Sequence, residues 1–326
     1  MNFHQLQYAL AVARNGLSVT NAAAALGTSQ PAISRALKEL EKELGFDLFV
    51  REGRSFARVT PEGTKVLEYA SRALAEIESL RAVAADLNQD ARGTLSIATT
   101  HTQARYVLPP VIQVFRKRYP DVDLHLHQGT SEQISEMVSS DRVQIAIATG
   151  SEALFPELVL LPVYRWHRQV IVPKTHVLAR KDAPRLTLQI LEKYPLITYV
   201  FSFSGPSSLE TLFAREGLRP RVALTARDSD VIKTYVRLGM GVGIVASVAY
   251  ESEMDSDLAM VDASHLFPIH TTWVGFRRGT LLRNYAYDFM QLFGPHLSRG
   301  LIDEAIDARE PEAKAQLLGR LSLPIR

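Results

Sequence analysis

The chain has 326 residues, of which 46% are hydrophobic, so it is long enough for about two globular domains with substantial cores. It contains no cysteine, which excludes disulfides, thiolate zinc sites and cysteine nucleophiles. A formal net charge of +2 is too small to indicate nucleic-acid binding by itself. Since no apolar run approaches membrane-spanning length and the N-terminus lacks a secretory leader, we expect a cytoplasmic protein with no membrane partner.

Two short helices around a tight turn are predicted between Ser18 and Phe49. Ser18 or Thr20 can cap the first helix, and Gly27 supplies the left-handed residue that ends it. The second helix begins near Gln30, because the preceding serine can cap it and the following proline fits a first turn. This order of elements is typical of a helix-turn-helix that reads DNA.

The second predicted helix has an apolar face and a basic face. Its apolar residues recur at steps of four, three and four and therefore point into a core; they are Ile33, Leu37, Leu40 and Leu44. On the opposite face, Arg35 and Lys38 could reach guanine or phosphate. The candidate DNA contacts of the turn and helix are Ser29, Gln30, Pro31, Ser34, Arg35 and Lys38. The alternative is a small helical hairpin with an ordinary charged surface, because three glutamates are interleaved with the lysines.

The next segment, FVREGRSFARVT, predicts a two-stranded wing beside this helix. Arg51, Arg54 and Arg58 surround Gly53 in it, and basic wings commonly bind phosphates. We therefore add these three arginines to the candidate DNA contacts. The wing favours DNA binding over the charged hairpin.

The stretch ALGTSQPAISRALKELEKELGFDLFVR, followed by the wing and TPEG, resembles the N-terminal domain of LysR-type transcriptional regulators. The resemblance covers roughly residues 1–60 and is specific, because helix, turn, helix and wing arrive in the expected order. It implies an all-α winged helix-turn-helix domain that binds a double-stranded promoter operator. RNA polymerase is a further candidate partner.

A long helix is predicted from Pro61, with Thr60 as its cap, to about Asn88. Its apolar residues form a heptad seam and are Val66, Ala70, Ala73, Ile77, Leu80, Ala84 and Leu87. A lone helix of this length is marginal in water, so a homodimer is favoured over a helix that packs on its own domain. Residues 61–92 are thus predicted as a dimerisation linker and hinge, and the resemblance implies a homotetramer.

Strand-like runs alternate with helical patterns from residue 93 to 300, which predicts parallel α/β units. The runs are LSIAT, VDLHLH, VQIAIAT, RQVIVP, PLITYV, RVALTA, GVGIVA and TTWVGF. This arrangement resembles the type 2 periplasmic-binding-protein fold that LysR-type regulators carry as an effector domain. The resemblance implies subdomain I over about 93–164 and 269–300, and subdomain II over about 165–268. Residues 301–326 are predicted as a helical tail.

Polar side chains crowd the turn that follows the first of these strands. Thr99, Thr100, Thr102 and Gln103 lie between the strand and a predicted helix. Hydroxyls, a side-chain amide and the helix N-terminus offer neutral donors that suit a small oxyanion. Arg105 is close but could equally point outward. The alternative is simple helix capping by the threonines.

TTHTQARYVLP, LHQGTSEQI, YPLITYVFSFSG and DSDVIKTYVRLGMGVGIVAS resemble the CysB-like branch of the family, which regulates sulfur assimilation and cysteine biosynthesis. The resemblance spans most of residues 94–300 and implies sulfate, a sulfated nucleotide or an acetylated serine as effector. Ser204 departs from the branch pattern, which favours threonine, so a hydroxyl is kept and a methyl is lost. The implied effector-binding residues are Thr100, Thr102, Gln103, Thr149, Ser204 and Trp166. Taken singly, Thr149 fits a strand end and Trp166 a core aromatic equally well.

No catalytic residue, metal site or cofactor is predicted. The hydroxyls have no clear activating base, and no paired histidine and carboxylate spacing suits a metal. The alternative function is a cytoplasmic small-anion-binding protein or enzyme that uses the crevice, with the N-terminal helices serving only oligomerisation. The regulator is favoured, because an uptake protein needs an export signal and an enzyme needs an activated group.

Overall fold

The computed structural model describes residues 1–53, 55–87, 92–203, 209–308 and 310–326. The candidate residues Arg54 and Ser204 and the hinge at 88–91 lie outside the described residues. The chain divides into two compact units, residues 1–90 and 91–326, which we describe separately.

The first unit is a helix-turn-helix with a hairpin and a long helix. Its elements are α1 (Phe3–Arg14), α2 (Val19–Ala25), α3 (Gln30–Leu44), β1 (Phe49–Glu52), β2 (Ser55–Val59) and α4 (Pro61–Leu87). The predicted caps are confirmed: the Ser18 hydroxyl accepts from the Asn21 amide at 3.2 Å, and the Ser29 hydroxyl accepts from the Ala32 amide at 3.4 Å. The predicted wing is the antiparallel hairpin of β1 and β2.

The apolar face of α3 forms the centre of the first unit's core. Ile33, Leu37 and Leu40 are fully buried, as the periodicity predicts. Each contributes about 1.5–3 kcal/mol to folding by removing its side chain from water. The helix ends at Gly45, whose φ of +82° is the left-handed conformation that glycine adopts at little cost. The exposed face of α3 is therefore fixed relative to the wing.

Helix α4 packs on its own unit over its first half. Leu67 and Ala70 are buried there, and Gly63 lies so close to the hairpin that a Cβ atom would meet the Leu48 carbonyl oxygen at 2.2 Å. Further along, Leu80 is 71% exposed. The predicted heptad seam is thus divided: its first turns contribute to the helix-turn-helix core, because that core offers them an apolar surface, whereas Leu80 and Ala84 are exposed.

The second unit contains two lobes, each built on a five-stranded mixed sheet. In the first lobe the strand order is β4 (Val122–Gln128), β3 (Gly93–Thr99), β5 (Ile145–Thr149), β12 (His270–Arg277), β6 (Leu158–Trp166). In the second lobe it is β11 (Leu258–Val261), β7 (Arg168–Pro173), β10 (Val242–Ala246), β8 (Leu196–Tyr199), β9 (Val222–Ala226). The first-lobe elements before the crossing are β3 (Gly93–Thr99), α5 (Leu108–Arg118), β4 (Val122–Gln128), α6 (Ser131–Ser139), β5 (Ile145–Thr149) and β6 (Leu158–Trp166).

The second lobe follows directly after His167. Its elements are β7 (Arg168–Pro173), α7 (Leu188–Leu191), β8 (Leu196–Tyr199), α8 (Leu209–Arg215), β9 (Val222–Ala226), α9 (Ser229–Arg237), β10 (Val242–Ala246) and β11 (Leu258–Val261). The chain then returns to the first lobe with β12 (His270–Arg277), α10 (Asn284–Phe293), α11 (Arg299–Asp307) and α12 (Pro311–Gly319). Two crossing segments, at His167 and between β11 and β12, therefore connect the lobes.

The predicted two-lobed α/β class is confirmed, with one correction to the sheets. Strands β3, β4 and β5 are parallel, as are β8, β9 and β10, but β12 pairs antiparallel with β5 and β6, and β7 pairs antiparallel with β10 and β11. The antiparallel pairs arise where the chain enters or leaves a lobe without a crossover helix. Strands β6 and β11 were not among the predicted runs.

Between β3 and α5 the chain makes a π-helical turn at Gln103–Val107. The last residues of the chain pair with β6 at the edge of the first-lobe sheet. The Arg165 amide donates to the Pro324 carbonyl at 2.8 Å, and the Arg326 amide donates to the Arg165 carbonyl at 2.9 Å. The final residues therefore continue the first-lobe sheet beside β6. In the described part of the chain, no helix is both long and apolar enough to cross a membrane.

Candidate functional site

The described DNA-contact candidates of the first unit all lie at its surface. All that are described are exposed, namely Ser29, Gln30, Pro31, Ser34, Arg35, Lys38, Arg51 and Arg58. Gln30 donates a hydrogen bond from its side-chain amide to the hydroxyl of Thr20 in α2 at 2.7 Å, so α2 orients the Gln30 side chain. The N-terminal half of α3 thus presents polar and basic side chains to solvent.

The basic side chains of this surface differ in their contacts. Arg51 bonds the buried Glu41 carboxylate at 3.3 Å and lies over the Phe56 ring at 4.7 Å, which ties the wing to α3. Arg35, Lys38 and Arg58 have no such partner among the described residues. A groove with a volume of about 780 Å³ runs between α3 and the wing. The residues that line it are Ser34, Lys38, Glu41, Lys42, Gly45, Phe46, Asp47 and Arg51. Its basic groups suit a phosphate backbone.

In the second unit, the turn after β3 faces the N-terminus of α9 across the two lobes. The Thr100 hydroxyl accepts from the Gln103 amide at 3.4 Å, so the capping alternative holds for Thr100. The Thr102 hydroxyl is instead 3.5 Å from the hydroxyl of Ser229, which begins α9. Thr102 is therefore free of the capping role and belongs to a contact between lobes. We call the region between the lobes that is bounded by this turn, the α9 N-terminus and the two crossing segments the cleft.

A chain of hydroxyls leads from Thr102 into the second lobe. The Ser229 hydroxyl lies 2.6 Å from the Tyr199 hydroxyl, which also accepts from the Ala246 amide at 3.1 Å. Tyr199 is fully buried, and burial raises its pKa, so it stays protonated and able to donate. These groups offer neutral donors of the type that the sequence predicts, but from both lobes.

Gln103 lies beneath the turn. Its side-chain carbonyl accepts from the Tyr164 hydroxyl at 2.7 Å, and its side-chain nitrogen donates to the Thr272 hydroxyl at 3.3 Å. The residue is only 2% exposed. These bonds tie the turn to β6 and β12, so the structure gives Gln103 a positioning role.

The other two described effector candidates lie at strand ends of the first lobe. Thr149 ends β5, opposite Thr272 of β12, and is half-buried. Trp166 ends β6 and stacks on His270, with ring centroids 4.6 Å apart. The indole N–H of Trp166 is buried and has no hydrogen-bond partner among the described residues. Both candidates reach the same sheet end as the turn after β3.

Unpaired buried polar atoms concentrate at this cleft. Within the described residues, every buried side-chain nitrogen or oxygen without a hydrogen bond belongs to one of three stretches, 99–101, 166–168 and residue 270. Buried polar groups are normally hydrogen-bonded, because an unpaired one costs about 1–3 kcal/mol. The residues concerned are Thr99, His101, Trp166, His167, Arg168 and His270. Such a cluster is suited to a polar ligand.

Two titratable groups next to the crossing segments have shifted pKa values. Burial lowers the pKa of Arg168 to about 10, and the Tyr199 hydroxyl opposes this shift. Burial, together with the charges of Arg168 and His167, lowers the pKa of His270 to about 4. His270 is therefore neutral near pH 7, whereas Arg168 keeps its charge.

Beside the cleft, α9 is attached to the π-helical turn. The Tyr106 hydroxyl donates to Asp230 at 2.6 Å and accepts from the buried Lys233 ammonium at 3.1 Å. His101 brings its imidazole within 3.8 Å of Asp230, and these two residues with Asp228 could hold a metal by spacing alone. Asp228 caps α9 and Asp230 binds Tyr106, so we assign the carboxylates to contacts within the protein. Arg105 forms an ion pair with Glu251 at 3.6 Å.

The sequence interpretation missed the second-lobe contributors to the cleft. Ser229, Tyr199 and Arg168 were absent from it, although one signal was available for Arg168. In RWHRQ, Trp166 and Arg168 are two residues apart, the spacing at which extended residues share a face. The partners Thr102 and Ser229 are 127 positions apart, and no local pattern pairs them.

With this geometry described, the chain can be placed in its class. Residues 3–64 match the family model described as bacterial regulatory helix-turn-helix protein, lysR family, and residues 88–298 match the one described as LysR substrate binding domain. The chain belongs to the LysR family of helix-turn-helix transcriptional regulators. The predicted class, a DNA-binding regulator rather than an enzyme, is thus confirmed.

Three similar proteins are transcriptional regulators as well. The chain is 46% identical to the HTH-type transcriptional regulator CysB of Haemophilus influenzae, over 99% of both chains. It is 43% identical to SsuR of Burkholderia cenocepacia, over 94% of this chain and all of the relative, and 41% identical to cbl of Escherichia coli, over 97% of this chain and all of the relative. The resemblance to the CysB-like branch is therefore confirmed.

Solved structures agree with the fold. The cofactor-binding domain of the Cbl transcriptional regulator is 44% identical, with a TM-score of 0.59 over 64% of this chain and 91% of that one. Full-length CbnR complexed with its target DNA, at 21% identity, has a TM-score of 0.57 over 91% of this chain and 99% of that one. The second likeness supports the fold alone.

Proposed function

We propose that this protein regulates genes of sulfur metabolism, and that a small sulfur-related effector bound in the cleft adjusts its binding to promoter DNA. The names of its relatives CysB, SsuR and Cbl support the sulfur assignment by resemblance. The observation that carries the effector site is that, among the described residues, the unpaired buried polar atoms all lie at the cleft. The proposed effectors are sulfate, a sulfated nucleotide or an acetylated serine.

The proposed organisation assigns residues 1–60 to DNA binding, 61–92 to a dimerisation helix and hinge, 93–300 to effector binding and 301–326 to a tail. A homodimer through α4, extended to a homotetramer, would present two recognition helices to two half-sites. Promoter DNA is the main partner, RNA polymerase is a further candidate, and the cytoplasm is the proposed compartment. Since the lobes meet at the cleft, a ligand with different affinities for two lobe arrangements would shift their populations.

The proposed DNA contacts are the exposed residues of α3 and the wing, with Arg35 and Lys38 as the most informative. We expect Lys38→Ala to weaken binding to all duplexes about equally and to reduce the salt dependence by about one phosphate contact. Arg35→Ala should relax the preference for the operator over random DNA, with a loss of about 1–3 kcal/mol if Arg35 contacts a base. Fluorescence anisotropy over a salt series measures both effects.

The control for these variants is Lys181→Ala, which removes an exposed charge from the second lobe. It should leave both affinity and salt dependence unchanged. If the wild-type protein showed no salt-sensitive and sequence-selective binding to duplex DNA, the proposed regulatory function would be wrong.

The proposed effector-binding residues are Thr100, Thr102, Gln103, Thr149, Ser204 and Trp166, and we add Ser229 to them because its hydroxyl lies 3.5 Å from that of Thr102. Among these, Thr102 combines exposure to the cleft with a contact to the second lobe. Thr102→Ala should weaken effector binding by about 1.5–3 kcal/mol, because one hydrogen bond to a charged group is lost. Calorimetric titration with sulfate, a sulfated nucleotide and an acetylated serine measures this loss.

Thr225→Ala is the matched control, since Thr225 is an exposed threonine of β9. It should bind the same compounds as the wild type does. Equal affinity of the Thr102→Ala variant and the wild type would remove Thr102 from the site.

A further inference from the structure

Arg168 is a buried cation that forms no ion pair with any of the described residues. The residue is 4% exposed, and its Nε and Nη1 atoms have no hydrogen-bond partner among the described residues. A buried charge without a partner destabilises the folded state, and proteins normally pair or replace it. A ligand that brought the missing anion would offset this cost on binding.

The position of Arg168 connects the two halves of the cleft. It begins β7, directly after the crossing residue His167, and pairs with Ala246 of β10. The Tyr199 hydroxyl accepts from the amide of the same Ala246, and Trp166, two residues before Arg168, stacks on His270. Arg168 therefore adjoins both the hydroxyl chain of Thr102, Ser229 and Tyr199 and the stacked pair of Trp166 and His270, and its charge acts on Tyr199 and on His270.

The acidic groups near the cleft do not neutralise Arg168. Asp228 accepts from the Val231 amide at 2.8 Å as the cap of α9, and Asp230 is bound to Tyr106. Asp255 binds the Lys233 ammonium at 2.5 Å and Arg237 at 2.8 Å. The cleft therefore has acidic groups beside the α9 N-terminus and an unopposed cation at the crossing segments.

We propose that Arg168 binds the anionic group of the effector, with two oxygens of one carboxylate or sulfate-type group, and that the hydroxyls of Thr102 and Ser229 bind the polar atoms beside it. This inference rests on the proposed function and specifies the ligand class, a small anion, and the residue that selects it. A planar guanidinium with several unpaired N–H groups matches such an anion better than hydroxyls alone. The buried indole N–H of Trp166 supplies a further donor.

The role of Arg168 predicts opposite effects on stability and on binding. In Arg168→Gln the buried charge disappears, so the melting temperature of the ligand-free protein should be equal to or above that of the wild type. Affinity for anions should fall roughly 10- to 150-fold, because a charge-assisted hydrogen bond is lost. Arg168→Lys keeps the charge without the planar fork and should show a smaller loss. A residue with a purely structural role would lower stability when replaced.

The test uses the full-length protein and three probes in calorimetric titrations: sulfate, N-acetyl-L-serine and its neutral analogue N-acetyl-L-serinamide. The wild type should bind the two anions and should bind the serinamide at least tenfold more weakly than N-acetyl-L-serine. Arg168→Gln should bind N-acetyl-L-serine and the serinamide with similar, weak affinity. Arg165→Gln, which changes an exposed arginine three residues earlier, is the matched control and should behave as the wild type.

The outcomes separate this inference from the proposed function. If anion binding depends on Thr102 but Arg168→Gln binds as the wild type does, the role of Arg168 is wrong and the effector site stands. If the wild type binds none of the probes, or binds the serinamide as tightly as the acid, the anion assignment is wrong. If neither Arg168 variant folds without ligand, Arg168 stabilises the free protein and the proposal is overturned.

Discussion

His270 makes the stability of the folded protein depend on pH. Its ring stacks on Trp166, and burial beside Arg168 and His167 lowers its pKa to about 4, whereas an unfolded histidine titrates near pH 6.5. The folded protein therefore binds the imidazole proton less readily than the unfolded chain does. The contribution of neutral His270 to stability is complete above about pH 6.5 and is lost as the pH falls towards 4.

We expect His270→Phe to flatten this pH dependence. Phenylalanine keeps the aromatic stack on Trp166 but has no proton to bind, so the free energy of unfolding should decrease less between pH 6.5 and 4 than in the wild type. Urea denaturation at a series of pH values measures the slope. His125→Phe changes an exposed histidine and should keep the wild-type slope; an unchanged slope in His270→Phe would refute the assignment.

At the cleft, the sequence alone pointed to Thr102 and Trp166, whose role in effector binding stays a prediction. Thr102 was identified because hydroxyls between a strand and a helix form a local pattern, and Trp166 through the family resemblance. The buried position of Gln103 was not visible, because its partners Tyr164 and Thr272 are 61 and 169 positions away. The counter-charge of Arg168 could not be judged either, since the absence of a neighbouring carboxylate is a property of the folded core.

At the level of elements, α4 is used in two ways. Its first half completes the helix-turn-helix core with Leu67 and Ala70, whereas Leu80 stands 71% exposed. The sequence predicted the limits of this helix and of α3, because caps and apolar periodicity are local. It missed β6, in which seven consecutive residues from Leu158 are buried without alternation, since a strand covered on both faces lacks the period of two.

Leu80 tests the proposed dimer. In Leu80→Glu each subunit would bring a carboxylate into the apolar seam, so the dissociation constant of the dimer should rise by roughly tenfold or more, from the loss of a buried leucine worth about 1.5–3 kcal/mol. Sedimentation velocity over a concentration series measures it. Leu238→Glu, at a position 68% exposed in the second lobe, is the control. Equal sedimentation of the two variants would mean that α4 does not form the dimer at this position.

At the scale of the whole molecule, the connections between the lobes surround the place where the ligand is proposed to bind. Tyr106, Asp230 and Lys233 join the lobes beside the turn, and Arg168 and His270 are the first residues of β7 and β12, directly after the two crossing segments. The alternation of strands and helices predicted the two-lobed class. It did not predict which strands run antiparallel, because strand direction depends on how the chain returns between lobes.

The π-helical turn at Gln103–Val107 has a consequence for how the cleft tolerates changes of length. Such a turn accommodates an extra residue inside a helix, and Thr102 and Tyr106, which both reach the second lobe, lie at its two ends. Deleting one residue from this turn would leave Thr102 in the sequence and would allow an ordinary α-helix. It would also rotate Thr102 by about 100° relative to α5, because each residue of a helix turns by that angle. The cleft therefore depends on the number of residues in this turn as well as on their identity.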